Sequence, residues 1–259
     1  MPIAEPFATS RTHIAGVSIR EIAAEFGTPT YVYDAAKVVE RINDLKKFDV
    51  IRYAQKACSN IAILDLCRRN GVVVDAVSSG EIHRAEKAGF KPGNVAHPEI
   101  VYTADVFDRE ALATVVAKNI PVNCGSPDMI DQLAAVAPGR NITLRINPGF
   151  GHGHSQKTNT GGEQSKHGIW HADLDDCLQR ADRGGLMVTG IHMHIGSGTD
   201  FEHLAQVCGS MEQVVEHVGR SITTISTGGG LPIPYQAGQT YVDLDRYYEL
   251  WDSVRRRLQ

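Results

Sequence analysis

Seven short β-rich runs, each followed by an amphipathic stretch, constrain this chain more than any other feature. The runs are VIRYA (50–54), VVVDAVS (72–78), IVYTA (100–104), IPVNCG (120–125), NITLRINPG (141–149), MVTGIHMHIG (187–196) and TTISTGGG (223–230). The stretches between them carry helix grammar. SNIAILDLCRRNG predicts a helix with Ser59 or Asn60 at its N-cap and Gly71 just past its end. SSGEIHRAEKAGF repeats the pattern with Gly89 as the stop, and SPDMIDQLAAVAPG with Ser126 as cap and Pro138-Gly139 as terminator.

Strands separated by helices argue for parallel βα units, so the fold class is α/β. A closed barrel of this kind needs eight strands. The sequence supplies seven, so the expected architecture is a (β/α)8 TIM-type barrel cut before strand eight. TPTYVYD (28–34) is a separate strand signal ahead of the barrel pattern. It divides the chain into an N-terminal extension, 1–34, and an incomplete barrel, 35–259. Between the fifth and sixth runs a Gly/His/Ser-rich insertion extends from Pro148 to Gly168. It is too polar for a core element and reads as a long active-site loop. After TGGG a loop over 231–243 leads into YYELWDSVRRRLQ, a terminal helix on which Arg255, Arg256 and Arg257 read as a solvated face.

Several function classes fall away. Net charge is −4 and no basic block stands out, which argues against a nucleic-acid partner. No long apolar run is present, so no membrane span is expected, and the first twenty residues contain no secretory h-region. Five cysteines (Cys58, Cys67, Cys124, Cys177, Cys208) are scattered and form no CxxC pair. That pattern suits free thiols in a reducing cytoplasm and does not suggest zinc. The loop histidines His152, His154 and His167, with His171 beyond, lack a helical i,i+4 pair or a thiolate partner. A polar loop is favoured over a metal site.

The chemistry collects where the strands end, the end at which barrel active sites form. Lys56, in RYAQKACSN, sits where the first strand gives way to a helix. Burial and neighbouring charge there would lower its pKa, which makes it a candidate Schiff-base amine. Asp75 lies near the end of the second strand, followed by Ser78 and Glu81, each readable either as a site residue or as part of a helix cap. Arg145 lies inside an apolar strand and must be paired, either structurally or with an anion. In GIHMHIGSG, His192 and His194 are two residues apart and share one face of a strand. Gly196, Ser197 and Gly198 then offer donors to an anion. Gly228, Gly229 and Gly230 of STGGG offer a second such cradle at the next strand end. An amine at the first strand and a phosphate cradle at the sixth and seventh suggest pyridoxal phosphate, with His194 as a plate on one face of its ring.

At these residues the sequence resembles the fold-type III pyridoxal phosphate enzymes, the alanine racemase-like barrels. More narrowly it is similar to the bacterial diaminopimelate decarboxylases. The resemblance is carried by FGTPTYVYD, RYAQKACSN, VDAVSSGE, YTAD (102–105), RINPGFGHGHSQKTNTGGEQSKHGIW, GIHMHIGSG and STGGGLPIPY, from about residue 25 to 251. It implies that Lys56 carries the cofactor aldehyde, that His194 stacks on the ring, and that Ser197, Gly228, Gly229 and Gly230 hold the phosphate. It places Asp75 and Arg145 near the ring. It implies decarboxylation of meso-2,6-diaminopimelate at its D centre, giving L-lysine and CO2, by a cytoplasmic homodimer that uses pyridoxal 5'-phosphate and no metal. Family members also carry a Glu-Pro-Gly-Arg motif on strand eight and a second, β-rich domain, to which the 28–34 strand belongs. This chain has neither, so little activity is expected of it alone. The alternative is a non-catalytic or regulatory homologue that pairs with full-length subunits.

Overall fold

The computed structural model describes residues 11–93, 97–150, 162, 165–194, 201–235 and 238–259. A small hairpin, β1 (His13–Ile14) and β2 (Val17–Ser18), leads into helix α1 (Ile19–Phe26), which buries none of its residues. Helix α2 (Ala35–Asn43) precedes the barrel pattern proper.

The barrel strands are β3 (Arg52–Ala54), β4 (Val73–Ala76), β5 (Ile100–Ala104), β6 (Val122–Cys124), β7 (Asn141–Asn147), β9 (Met187–Met193) and β10 (Thr224–Ser226). Each expected run contains one of them. All seven are parallel, in the order β10-β9-β7-β6-β5-β4-β3. Helices α3 (Ile61–Arg69), α4 (Ser79–Lys87), α5 (Arg109–Ala117), α6 (Pro127–Val136), α7 (Leu174–Arg183) and α8 (Phe201–Val218) alternate with the strands. Helix α9 (Leu244–Arg257) follows β10. Strands β3 and β10 are the two edges and do not pair with each other among the described residues.

The caps explain why the helices start where they do. Asn60, Ser78, Asp108 and Ser126 each accept a backbone N–H from the first turn of α3, α4, α5 and α6. Such a cap is worth about 1 kcal/mol. The stops are glycines in the left-handed region: Gly71, Gly89 and Gly139 have φ of 78°, 93° and 83°. An L side chain is strained there, so a helix ending at glycine reverses most readily.

One parity of the strand residues builds the core. Val74, Ala76, Ile100, Tyr102, Val122, Cys124, Ile142, Leu144, Ile146, Ile191 and Met193 are buried against the helices. They meet Leu64, Ile82, Val115, Ile130, Leu133 and Cys177 from the helix layer. The registers keep them aligned, since Val74 pairs with Ile100, Tyr102 with Val122, and Val122 with Ile142. The opposite parity, apart from Ala54, Val73 and Val101, is polar: Asp75, Thr103, Asn123, Thr143, Arg145, Asn147 and His192. A barrel lumen is ordinarily filled with Val, Ile and Leu. Here it is filled with hydrogen-bonding groups, so the sheet separates stability on one face from chemistry on the other.

Two expectations are modified. TPTYVYD forms no strand among the described residues, and Tyr31, Val32 and Tyr33 are exposed. A strand needs a ladder partner, and no neighbour supplies one. The Pro148–Gly168 insertion ends in a short strand, β8 (Ile169–Trp170), parallel to the end of β7. Ile146 pairs with both Ile169 and Met193, so β8 continues the sheet beyond the end of β6. The arginines of α9 do form a solvated face, on which Arg255 and Arg256 pair with Asp252 and Arg257 with Glu212 of α8. All five cysteines are free thiols and four are buried. Among the described residues no helix is long and apolar enough to cross a membrane.

Candidate active site

The carboxyl ends of β3, β4, β7, β9 and β10 bring most of the sequence-predicted residues together. Lys56 lies in a 3₁₀ turn, Gln55–Ala57, directly after β3. The burial expected for it is not found, because Lys56 is exposed. Its strand is a sheet edge, so no neighbour covers it from the far side. Ala54 pairs in register with Asp75, which brings Lys56 to the same end of the sheet as Asp75. The charge of Lys56 is felt by Asp75, His192 and His194.

Burial pushes the Asp75 carboxyl up to about 6, opposed by a hydrogen bond from Thr103 and by the charges of Arg52 and Lys56. Its Oδ1 is buried and has no protein hydrogen-bond partner among the described residues. From Thr103 a polar chain crosses the lumen. Asn123 Nδ2 lies 3.4 Å from Thr103 Oγ1 and 2.5 Å from His192 Nδ1. Burial, with Arg145 adding repulsion, holds His192 well below the ordinary histidine range, so it is neutral near pH 7.

His194 follows β9, its ring centroid 6.4 Å from that of His192. Nδ1 of His194 accepts the Gly229 N–H at 2.9 Å, so the proton of the neutral ring sits on Nε2. Burial first, then the positive charges of Arg145 and Lys56, bring His194 down to about 4. The glycine triplet is thus tied inward: the Gly228 N–H donates to Ser226 Oγ at 3.4 Å while Gly229 holds the imidazole. A Cβ at Gly228 would stand 2.5 Å from Met193 O and 2.8 Å from His194 Nδ1, whereas one at Gly229 would meet nothing within 4 Å. Gly228 is needed for packing, and Gly229 leaves open room above the site. Gly230 is exposed at the end of the triplet. Ser197, with Gly196 and Gly198, lies outside the described residues, as do His152 and His154 of the loop.

Arg145 is buried and pairs with Asp105 at 3.4 Å, a structural ion pair that leaves the anion reading open beside it. Asp105 had no role beyond its place in YTAD. Its Oδ2 lies 2.5 Å from Nδ1 of His167, and its Oδ1 accepts the Gly168 N–H at 3.0 Å. Ser78 and Glu81 behave as a cap. Ser78 Oγ accepts the Glu81 N–H at 3.2 Å, and Glu81 Oε2 accepts the Val77 N–H at 2.8 Å. Among the described residues no group of three or more His, Cys, Asp or Glu could hold a metal.

These residues fit pyridoxal phosphate. A buried carboxylate oxygen without a protein partner, an accessible amine at the same rim, a neutral imidazole and an open glycine position make a site for a planar aldehyde with an anionic tail.

The comparisons agree with that chemistry. Residues 35–258 match the family model described as "Pyridoxal-dependent decarboxylase, pyridoxal binding domain". The chain is 56% identical over 243 residues to a diaminopimelate decarboxylase of Streptomyces coelicolor, covering 94% of this chain and 55% of that protein. It is 54% identical over 248 residues to one of Escherichia coli K12, covering 95% of this chain and 59% of that protein. A crystal structure of a diaminopimelate decarboxylase superposes with a TM-score of 0.87 at 56% identity, covering 92% of this chain and 56% of the other. One from Helicobacter pylori complexed with L-lysine superposes at 0.83 and 25% identity, covering 92% of this chain and 62% of the other. The chain therefore spans little more than half the length of the relatives it matches, and the expected alanine racemase-like barrel, open between β10 and β3 among the described residues, is the fold observed.

Proposed function

Given that the chain belongs to the pyridoxal-dependent decarboxylases, matching their pyridoxal binding domain over residues 35–258, we propose that it is the cofactor-binding part of a diaminopimelate decarboxylase. The reaction is removal of CO2 from meso-2,6-diaminopimelate to give L-lysine. The observation that carries the reading is the meeting of Lys56, Asp75, His194 and the 228–230 glycines at one rim of the sheet. The identity to named diaminopimelate decarboxylases supports the choice of substrate.

The cofactor, when bound, supplies a ring that accepts the electron pair left when CO2 departs. The protein's share is binding, orientation and charge. Lys56 offers an accessible amine to hold the aldehyde and to exchange with the substrate's own amine. His194, neutral and fixed by Gly229, presents a flat uncharged face that adds no positive charge to the pocket. Gly230 and Ser197 would hold the phosphate, with Gly229 leaving room for it and Gly228 setting the turn. Arg145 keeps a fixed cation in the lumen beside Asp75, and Asp105 keeps it from turning toward solvent.

Residues 28–34 belong, in this proposal, to the edge of a second domain, which accounts for Tyr31 standing 91% exposed without a strand partner. A cytoplasmic homodimer with a small amino-acid substrate is proposed from the resemblance. The test is CO2 release from meso-diaminopimelate by the full-length form, with L-lysine, ornithine and arginine as competing substrates. Preference for any of the three over diaminopimelate would refute the substrate assignment.

A further inference from the structure

Asp105 gathers three donors from two elements far apart in sequence. Its Oδ1 takes Arg145 Nη1 from β7 at 3.4 Å and the Gly168 N–H from the returning arm of the insertion at 3.0 Å. Its Oδ2 takes Nδ1 of His167 at 2.5 Å. Room for that carboxylate exists only because residue 125 is glycine, since a Cβ there would collide with Asp105 Oδ1 and Ala104 O. Gly168, at φ 78°, lets the arm lie flat on β7, where a Cβ would stand 3.2 Å from Arg145 O and 3.3 Å from Asn147 N. The buried Asn147 side chain makes a second tie. Its Oδ1 accepts the N–H groups of Gly149 at 3.1 Å and Gly162 at 2.9 Å, and its Nδ2 donates to Gly162 O at 3.1 Å.

The consequence reaches the cofactor residues. Arg145 and His167 are both close enough to His194 to depress its protonation, and Arg145 also acts on His192. A charge-assisted contact to a single carboxylate sets where both of those groups stand. Asp105 holds Arg145 and His167, which act on His194, so its influence passes through these partners.

We infer that Asp105 is a positioning residue for the cofactor pocket, locking Arg145 and the His167–Gly168 arm together at the barrel mouth. The inference rests on the cofactor site proposed above.

The test compares the full chain with Asp105→Asn and His167→Gln. Asparagine keeps the shape and removes the charge. Glutamine removes one donor and leaves Arg145 and Gly168 in place, so it serves if the first variant fails to fold. The first readout is trypsin cleavage after Lys166, an exposed residue beside the arm, in cofactor-free protein. The second is pyridoxal phosphate affinity, together with the circular dichroism the protein induces in the bound cofactor. Asp105→Asn is expected to be cut after Lys166 about tenfold faster and to bind cofactor about tenfold more weakly, with diminished induced dichroism, as loss of one charge-assisted contact implies. His167→Gln is expected to show a smaller change in the same direction. Wild-type cleavage and affinity in both variants would overturn the inference. Faster cleavage with unchanged affinity and dichroism would also overturn it, because the arm would then be held without consequence for the pocket. If the parent chain takes up no cofactor, the reading of the site fails, and cleavage alone then decides whether Asp105 holds the arm.

Discussion

The backbone amide of Gly229 donates to Nδ1 of His194 at 2.9 Å, joining the ends of β10 and β9 through a side chain. That bond fixes the tautomer and the tilt of the imidazole. It also makes the glycine triplet and the histidine one unit, although 35 residues separate them.

The protonation of His194 follows from this arrangement. With the imidazole labelled with ¹⁵N, His194 should show a proton on Nε2 and a bare Nδ1 at neutral pH. It should titrate with a midpoint of about 4. A midpoint near the ordinary 6.5 would mean that burial and Arg145 do not act on it as described.

The glycines of the triplet should differ in what they tolerate. Gly228 has φ 67°, and a Cβ there would press on Met193 O and His194, while Gly229 has open space. Gly228→Ala is expected to lower unfolding stability in urea by more than about 1 kcal/mol, the cost of an L residue in that region. Gly229→Ala should leave stability near that of the parent and weaken cofactor uptake. Equal stability losses would contradict the geometry.

Acid stability should be shaped by opposing groups. Burial raises Asp75 to about 6 from the ordinary 3.8, so the folded chain keeps a proton that the unfolded chain releases. Its contribution is full at low pH and is lost as pH rises toward 6. His194, lowered to about 4 from 6.5, does the reverse. Its contribution is full above 6.5 and is lost as pH falls toward 4, and His192, lower still than the ordinary range, acts in the same sense. Linkage makes the Asp75 and His194 terms about 3 kcal/mol each. Asp75→Asn removes only the first. Calorimetry of the cofactor-free chain should show the variant melting above the parent at neutral pH and no higher than it near pH 4. The same shift at both pH values would contradict the assignment.

Ser78 tests the division between scaffold and site. Its hydroxyl caps α4, accepting the Glu81 N–H. Ser78→Ala should cost about 1 kcal/mol in urea unfolding and leave cofactor affinity unchanged. Lost affinity at intact stability would return Ser78 to the site.

Local signals in the sequence were enough to place the seven barrel strands, the caps and the shared face of His192 and His194, though TPTYVYD misled and β8 was missed. Each depends on residues a few positions apart, such as Asn60 on Ala62 or Ser126 on Met129. The exposure of Lys56 was not legible, because it follows from β3 being an edge, a property of the whole sheet. The contact of Asp105 with His167 spans 62 residues, and that of Asn123 with His192 spans 69. Neither has a local signature. The polar lumen did leave one: Asp75, Thr103, Asn123, Arg145 and His192 occupy strand positions of a single parity. Only the register between strands turns that parity into a common surface.

The central claim is that Lys56 is the amine that holds pyridoxal phosphate. The most direct measurement is to incubate the chain and its Lys56→Ala variant with pyridoxal phosphate, reduce with borohydride, and map the pyridoxyl group by peptide mass. The account predicts a modification of the parent confined to the peptide containing Lys56, and none at that stoichiometry in the variant. Equal labelling of the variant, or labelling of the parent spread over other surface lysines, would contradict it.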